Sequence, residues 1–588
     1  MKLTAAKAVV RALEDERVGC TFGIPGTHNI ELYDALASSD HVRPILVTDE
    51  QSASFMADGY WRASGRLACV NVVPGAGLTH ALSGIAEAYL DNVPMLVLAC
   101  GIRLEEDRAY QLHDVDQLGI AAPVVKAAFR IDRRGEAYRT VRHACKLARS
   151  GVPGPVMVEV PADHYLAQDA VEQEPVVAGG TDGGSTRRAG RTDGSGGSES
   201  VMGALETLER ARRPLLYLGF GAAGAAEGLV ALAERLESPV ATTIQGKGVF
   251  PESHPLSLWP GFGHAAPPFA RRVAEGCDAT LAIGCRFSEV GTGSYGLRPP
   301  QPLVHVDIDP AVPGRNYPAE VAVIGDAAAV VEALLEGLVQ RPRDGELRRE
   351  ILEGRAGVEQ DRADRSGRGV GPALLFRELQ ARFAPEAVFV TDSGNGTFLA
   401  MELLRLEAPG RFLAPVDYSC MGYSVPAAIG AALARPDVPV VALPGDGAFL
   451  MTGLELLTAA REGAAAAFFV LRDQELAQIS QFQDIALSQR TSSELPDYDL
   501  CTLASGLGVE CRQLRSDEEV AEAVEWAVAI HREGRPAVID VAIDYSEKTY
   551  FTRGVVRTAF GRLSWPDRMR FVGRALGRKV RHSVSPSN

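Results

Sequence analysis

Val438 to Asp473 read VPVVALPGDGAFLMTGLELLTAAREGAAAAFFVLRD, and the order of residue types in this stretch decides the fold. Val438–Leu443 is a short apolar run of the kind that forms a fully buried strand. Gly445-Asp446-Gly447 ends it, because glycine tolerates the tight turn. Leu450, Leu454 and Leu457 then mark one face of a helix, and Ala466–Leu471 is the next strand. Strand, helix, strand is the repeating unit of a parallel sheet, and its right-handed crossover usually makes the two strands neighbours. Asp446 and Asp473 would both stand just past the carboxyl ends of strands, in the crevice where such sheets bind ligands. Flanking glycines let backbone N–H groups approach phosphate oxygens, the helix start offers its positive end, and a carboxylate is a hard ligand for Mg²⁺.

Working outward, the same rhythm covers the chain. RPILVTD, LACVNVVPG, VPMLVLACG and GPVMVEVPAD alternate with helix-like IELYDALASS and LTHALSGIAEAYLDN in the first 170 residues. Residues 171–200 are rich in Gly and Ser, cannot bury apolar surface, and are expected to be a flexible linker. A second unit over 201–340 contains RPLLYLGFG, SPVATTIQGKG, DATLAIGCRF and PLVHVDIDP; a charged, partly helical connection (341–370) leads to a third over 371–547. The fold class is α/β, with three consecutive doubly wound parallel-sheet domains. Residues 548–588 carry nearly all the local basic charge and are expected to be a solvated tail over the surface.

The chain has 588 residues, 46% hydrophobic and 23% charged, too long for one core. A net charge of −15 disfavours a phosphate backbone, so no nucleic-acid partner is expected. Nine scattered cysteines without a C-x-x-C pair argue against a disulfide framework or a zinc site and fit a reducing cytoplasm. The amino terminus reads as an amphipathic helix rather than a signal peptide, and no apolar stretch reaches membrane-spanning length.

The GDG turn followed by helix, strand and second oxygen ligand resembles the thiamine-diphosphate motif of the acetohydroxyacid synthase, pyruvate decarboxylase and pyruvate oxidase superfamily, and the resemblance runs over nearly all the chain. It implies a pyrimidine-binding, a central and a diphosphate-binding domain, and a homodimer or homotetramer whose active sites lie between subunits. By that match Mg²⁺ is held by Asp446, Asp473 and the backbone carbonyl of Glu475, and the diphosphate lies against Gly445, Asp446, Gly447 and Ala448. Relatives end the motif in Asn-Asn where this chain has Arg472-Asp473, which adds a negative charge that Arg472 is expected to offset in part. RPILVTDEQSASFMADGYWRASG resembles the family's H-E-Q segment, with Glu50 as the acid at the pyrimidine N1′ and Thr48-Asp49 in place of Arg-His. In PVDYSCMGYSVPAAIGAALA, Met421 corresponds to the wedge beneath the cofactor and Ser419 to the carbonyl that accepts from the 4′-amino group.

His28, in TFGIPGTHNIELYDAL, corresponds to the proton-transferring histidine of benzaldehyde lyase. Gln111, in AYQLHDVDQLG, matches a glutamine placed over the reacting carbon. The His-His pair of simple pyruvate decarboxylases is missing at Leu112-His113, which favours carboligation over plain aldehyde release. In the central unit Gly219, Gly221 and Gly224 form G-x-G-x-x-G, but the following strand, PVATTIQG, lacks the acidic ribose partner. IGCRFSEVGTGS resembles the GARF-D-D-R-V-T-G segment of acetohydroxyacid synthases, whose central domain binds FAD; after Phe287 the charged positions differ. The resemblance implies decarboxylation of a pyruvate-like 2-oxo acid and ligation to a second carbonyl compound. A non-ligating decarboxylase, an acyloin lyase, a flavin-dependent oxidase and an impaired cofactor-binding relic are the alternatives.

Overall fold

The computed structural model describes residues 2–166, 168–170, 197–363 and 369–584. Most of the segment read as the first linker lies outside the described residues. Among the described residues, three parallel six-stranded sheets form the body of the molecule, and Lys2–Thr4 pairs antiparallel with Gln168–Ala170 in a small two-stranded sheet. The first orders its strands Arg43–Leu46, Cys20–Gly23, Cys69–Val72, Met95–Gly101, Pro155–Pro161, Ala127–Arg130. The second runs Ser257–Pro260, Val240–Thr242, Pro214–Leu218, Ala279–Ile283, Leu303–Asp307, Val321–Ile324. The third runs Phe412–Leu413, Val388–Thr391, Val440–Leu443, Ala466–Arg472, Ala537–Ala542, Glu510–Leu514. Strands such as Met95–Gly101 are buried at every position, as the continuous apolar runs of a sheet covered on both faces require.

Local signals account for the helix that matters most. Asp49 caps Glu50–Ser64 by accepting from the Gln51 amide, Glu50 sits in the first turn, and Gly65 ends the helix in the left-handed region at φ 68°. That helix crosses Ser424–Ala434 of the third unit almost without side chains between them. A Cβ built on Gly59 would lie 2.1 Å from the Ala427 carbonyl oxygen, and one on Gly430 would lie 2.0 Å from that of Met56. Glycine is therefore demanded at both positions by backbone contact. The first and third units consequently share one hydrophobic core, in which Phe55 meets Tyr423 edge-on, whereas the central unit keeps a core of its own.

Two expectations are corrected. Cys501 and Cys511 are joined in a disulfide that ties the helix Leu500–Gly506 to the strand Glu510–Leu514; sequence spacing is blind to this, because the fold brings the two Cα atoms to 5.1 Å. The other seven cysteines are free. The basic carboxyl-terminal segment, read as a solvated tail over the surface, is helical over Tyr550–Arg562 and Trp565–Val584, and its first helix is partly buried. Phe551, Thr552 and Gly554 are buried, and Gly554 lies so close to His264 and Ala265 that a Cβ there would collide with backbone. The segment read as a partly helical connection contains the helix Gly345–Ala363, which buries Leu347, Ile351 and Val358. Among the described residues, no helix is long and apolar enough to cross a membrane.

Candidate active site

The strands Val440–Leu443 and Ala466–Arg472 are parallel neighbours, and a further bridge joins Gly445 to Leu471. Both strands end at the same edge, so Asp446 and Asp473 meet. Asp446 accepts from the backbone N–H of Gln474 at 2.8 Å, of Asp473 at 3.2 Å and of Gly447 at 2.8 Å. The helix Asp446–Thr452 starts there, with Gly445 as its cap residue. Met421, Gly445, Asp446, Gly447, Ala448, Asp473 and Glu475 all line one cleft of about 100 Å³. A Cβ on Gly445 or Gly394 would meet nothing within 4 Å, so open space faces these backbones.

The electrostatics of the cleft favour a cation. Burial raises the Asp446 carboxyl, and burial followed by the Asp446 and Glu475 carboxylates pushes Asp473 up to about 7. Two hard carboxylates held together this way are the donor set a divalent metal fits. The Glu475 side chain is turned aside into an ion pair with Arg490, leaving its backbone as the part that can serve the cleft. Among the described residues no group of three or more His, Cys, Asp or Glu side chains is placed to hold a metal ion. Arg472 favours the charged form of Asp446, though less than the backbone amides do. Its guanidinium bonds Asp540 at 3.0 Å and Asp497 at 2.9 Å and stacks over Tyr498.

The loop carrying Ser419 and Met421 is suspended from two buried acids that the sequence did not single out. Asp392 accepts from the amides of Gly422 (2.9 Å) and Ser424 (2.7 Å) and from the Ser424 hydroxyl (2.7 Å). Glu87, from the first unit, accepts from the Cys420 amide at 3.0 Å. Ser419 sits at φ 62° and its hydroxyl is 2.8 Å from that of Ser393. The signal for Asp392 was present in TDSGNG, an acid just past a strand like Asp446; Glu87 sits inside an apolar helix and gave none.

Glu50 is buried, with the His80 imidazole 3.4 Å from its carboxylate. Glu455 of the third unit holds the start of its helix, accepting from the Thr48 amide at 2.9 Å, the Thr48 hydroxyl at 2.7 Å and the Asp49 amide at 3.2 Å. Glu50, His28 and Gln111 do not line the cleft of Asp446 in the same chain. Gln111 donates to the Arg103 carbonyl at 3.0 Å. His28 packs edge-on against His113, ring centres 5.5 Å apart, and burial, His113 and Arg103 lower its pKa. A histidine pair absent from adjacent sequence positions is thus assembled from two loops. The helical face of Leu450, Leu454 and Leu457 is also not core: these side chains are exposed, with Met451, while Phe449, Leu456 and Ala459 pack inward. The expected single helix is interrupted by a 3₁₀ turn at Gly453–Glu455.

The central unit opens a second cleft, of about 440 Å³, at the ends of its strands. Gly219 and Gly221 are required there by the backbone of Gly284, since a Cβ on Gly219 would lie 2.0 Å from the Gly284 carbonyl oxygen. Asp307, at the end of Leu303–Asp307, places an acidic side chain in the lining of this cleft.

The geometry defines an α/β fold with two carboxylates gathered at the carboxyl ends of neighbouring strands, and comparison with known proteins identifies its class. Residues 3–120 match the N-terminal TPP binding domain of thiamine pyrophosphate enzymes, 201–334 the central domain and 392–541 the C-terminal TPP binding domain. The chain belongs to the thiamine pyrophosphate enzymes, on their acetolactate synthase-like branch. It is 32% identical to a probable acetolactate synthase large subunit of Methanocaldococcus jannaschii, covering 93% of each chain. It is 33% identical to the acetolactate synthase large subunit of Corynebacterium glutamicum, over 92% of this chain and 87% of that one. It is 31% identical to the acetolactate synthase isozyme 3 large subunit of Escherichia coli, over 93% and 96%.

Proposed function

We propose that the protein decarboxylates a pyruvate-like 2-oxo acid and ligates the remaining acyl group to a second carbonyl compound. The observation that carries this reading is the convergence of Asp446 and Asp473 with Met421 on one cleft, in a chain that matches a probable acetolactate synthase large subunit over 93% of its length. When bound, thiamine diphosphate would supply the nucleophilic carbon and the electron sink that decarboxylation needs. Asp446, Asp473 and the Glu475 carbonyl would hold Mg²⁺, and the backbone of Gly445–Ala448 with the helix start would receive the diphosphate. Met421 presents an apolar surface to the bound ring, and the Ser419 carbonyl orients its amino group. Glu50 gives and takes the proton at the pyrimidine nitrogen. His28 relays a proton to the product oxygen, and Gln111 orients the reacting carbonyl.

Because Glu50 does not line its own chain's cleft, the site is completed by a second copy, in a homodimer or homotetramer. The exposed apolar row Leu450, Met451, Leu454 and Leu457 beside the cleft supports that assembly. FAD is the ligand the resemblance adds for the central cleft. Asp307 suits a ribose there, while two arginines of its wall, Arg286 and Arg149, are already paired with Asp417 and Glu16. A flavin absorbance band in the purified protein tests this. Seven free cysteines support residence in the cytoplasm, while the Cys501–Cys511 disulfide weighs the other way. The test of the activity is incubation with thiamine diphosphate, Mg²⁺ and a panel of 2-oxo acids and aldehydes, read by mass spectrometry. CO₂ release with a ligated product is expected; no release from any 2-oxo acid overturns the reading.

A further inference from the structure

A second cavity, of about 230 Å³, adjoins the diphosphate cleft and shares Ser393, Gly394 and Gln478 with it. It is bounded by the central unit, the third unit and the helix Tyr550–Arg562. Its wall is mainly apolar, built from Ile244, Val290, Val416, Phe398, Phe482 and Phe551, with Phe398 and Phe551 stacked 4.2 Å apart. Neutral hydrogen-bonding groups face the shared side: the Ser393 and Ser419 hydroxyls and the Gln478 amide. Among the described residues lining it, the one ionisable side chain is Glu289, exposed to solvent; none is lysine or arginine. Where the segment it resembles carries D-D-R, this chain has Ser288-Glu289-Val290.

We infer that this cavity receives the acceptor, and that the acceptor is an uncharged carbonyl compound, an aldehyde, rather than a second 2-oxo acid. The inference rests on the ligation reading above and names its second substrate. A carboxylate placed here would lose water, find no lysine or arginine among the lining residues of this chain and stand near Glu289, and an unpaired buried charge is strongly disfavoured. The donor escapes this objection, because its carboxylate leaves as CO₂ and a site that does not stabilise it favours that loss. The acceptor's substituents persist through ligation. A serine hydroxyl or the Gln478 amide can donate to the aldehyde oxygen without any charge. The reaction balances without an oxidant: the bond between the donor's carboxylate and carbonyl carbons breaks, and CO₂ leaves. The electron pair forms the new bond to the aldehyde carbon, and the aldehyde oxygen takes up one proton to give a 2-hydroxy ketone.

Propanal and 2-oxobutyrate differ as acceptors only in the carboxylate, which makes them the discriminating pair. The holoenzyme with thiamine diphosphate and Mg²⁺ is given pyruvate and both acceptors at equal concentration. Products are resolved by liquid chromatography and mass spectrometry at early times. The hydroxy ketone from propanal is expected to exceed the acetohydroxy acid from 2-oxobutyrate by about tenfold or more. Val290→Arg, and separately Glu289→Gln, which preserves shape, are expected to narrow that ratio severalfold. An acetohydroxy acid as the principal ligation product of the unmodified enzyme overturns the inference while leaving the ligation reading intact. CO₂ release with only free aldehyde overturns both ligation and acceptor. No CO₂ from pyruvate in the presence of both cofactors overturns the donor reading itself. A ratio unmoved in two folded variants removes the acceptor from this cavity.

Discussion

At the scale of single residues, Glu50 and Asp307 carry opposite kinds of consequence. Glu50→Gln keeps the side chain's size and its hydrogen-bonding oxygen but removes the exchangeable acid. It is expected to leave thiamine diphosphate binding by calorimetry unchanged and to slow cofactor C2 proton exchange, followed by NMR, by about 10²–10⁴-fold. Asp307 is a cost to the folded state at neutral pH. Burial lifts its carboxyl to about 6, above the ~3.9 of an unfolded chain. Its contribution to stability is therefore full below about pH 4 and is lost as pH rises through about 6. Asp307→Asn retains an acceptor for the Asp309 amide, which lies 2.9 Å from the carboxylate. It should raise unfolding free energy by about 2 kcal/mol at pH 8 and by almost nothing at pH 4, measured by urea denaturation. Neither the elevation of Asp307 nor the role of Glu455 could be read from the chain: the first comes from how deeply the fold buries the carboxyl, the second from which backbone amides the fold turns toward the acid.

At the scale of elements, the crossing of Glu50–Ser64 with Ser424–Ala434 sets the distance between the two halves of the catalytic apparatus on one chain. Gly430→Ala would put a methyl group 2.0 Å from the Met56 carbonyl oxygen. Alanine returns about 1 kcal/mol of helix propensity, which does not match the ~3 kcal/mol of overpacking against rigid backbone. A net loss of about 2 kcal/mol is expected, visible as a lower melting temperature, with activity falling as the helix bearing Glu50 is displaced. The elements themselves were legible: GDG between two apolar runs, an acid-capped start at Asp49-Glu50, and the alternation that yields three parallel sheets. Their mutual placement was not, because a glycine inside a helix looks the same whether it faces solvent or another backbone. For the same reason Leu450, Leu454 and Leu457 declared an apolar face without declaring what it meets, and His28 and His113 came from loops far apart in sequence.

At the scale of the whole molecule, the apolar row of Leu450, Met451, Leu454 and Leu457 is the surface whose loss should be most costly. Met451 and Leu454 are each 58% exposed in the single chain. Replacing both with glutamate removes about 1.5–3 kcal/mol of burial per side chain from an assembly that covers them. The dissociation constant should rise by about a hundredfold or more, followed by sedimentation velocity, and cofactor-dependent activity should fall with the oligomer. An unchanged oligomer with full activity would place the interface elsewhere.

The shared core of the first and third units has a further consequence during synthesis. Phe55, Met56 and Tyr60 are buried against Tyr423, Val425, Ala427 and Ala428, which are translated only after the whole central unit. A ribosome therefore carries the amino-terminal sheet with an uncovered, sticky flank until Ser424–Ala434 has emerged from the exit tunnel. Holding that flank against aggregation is a task for a chaperone, and a message cut short before the last third of the reading frame would yield a product with nothing to close it.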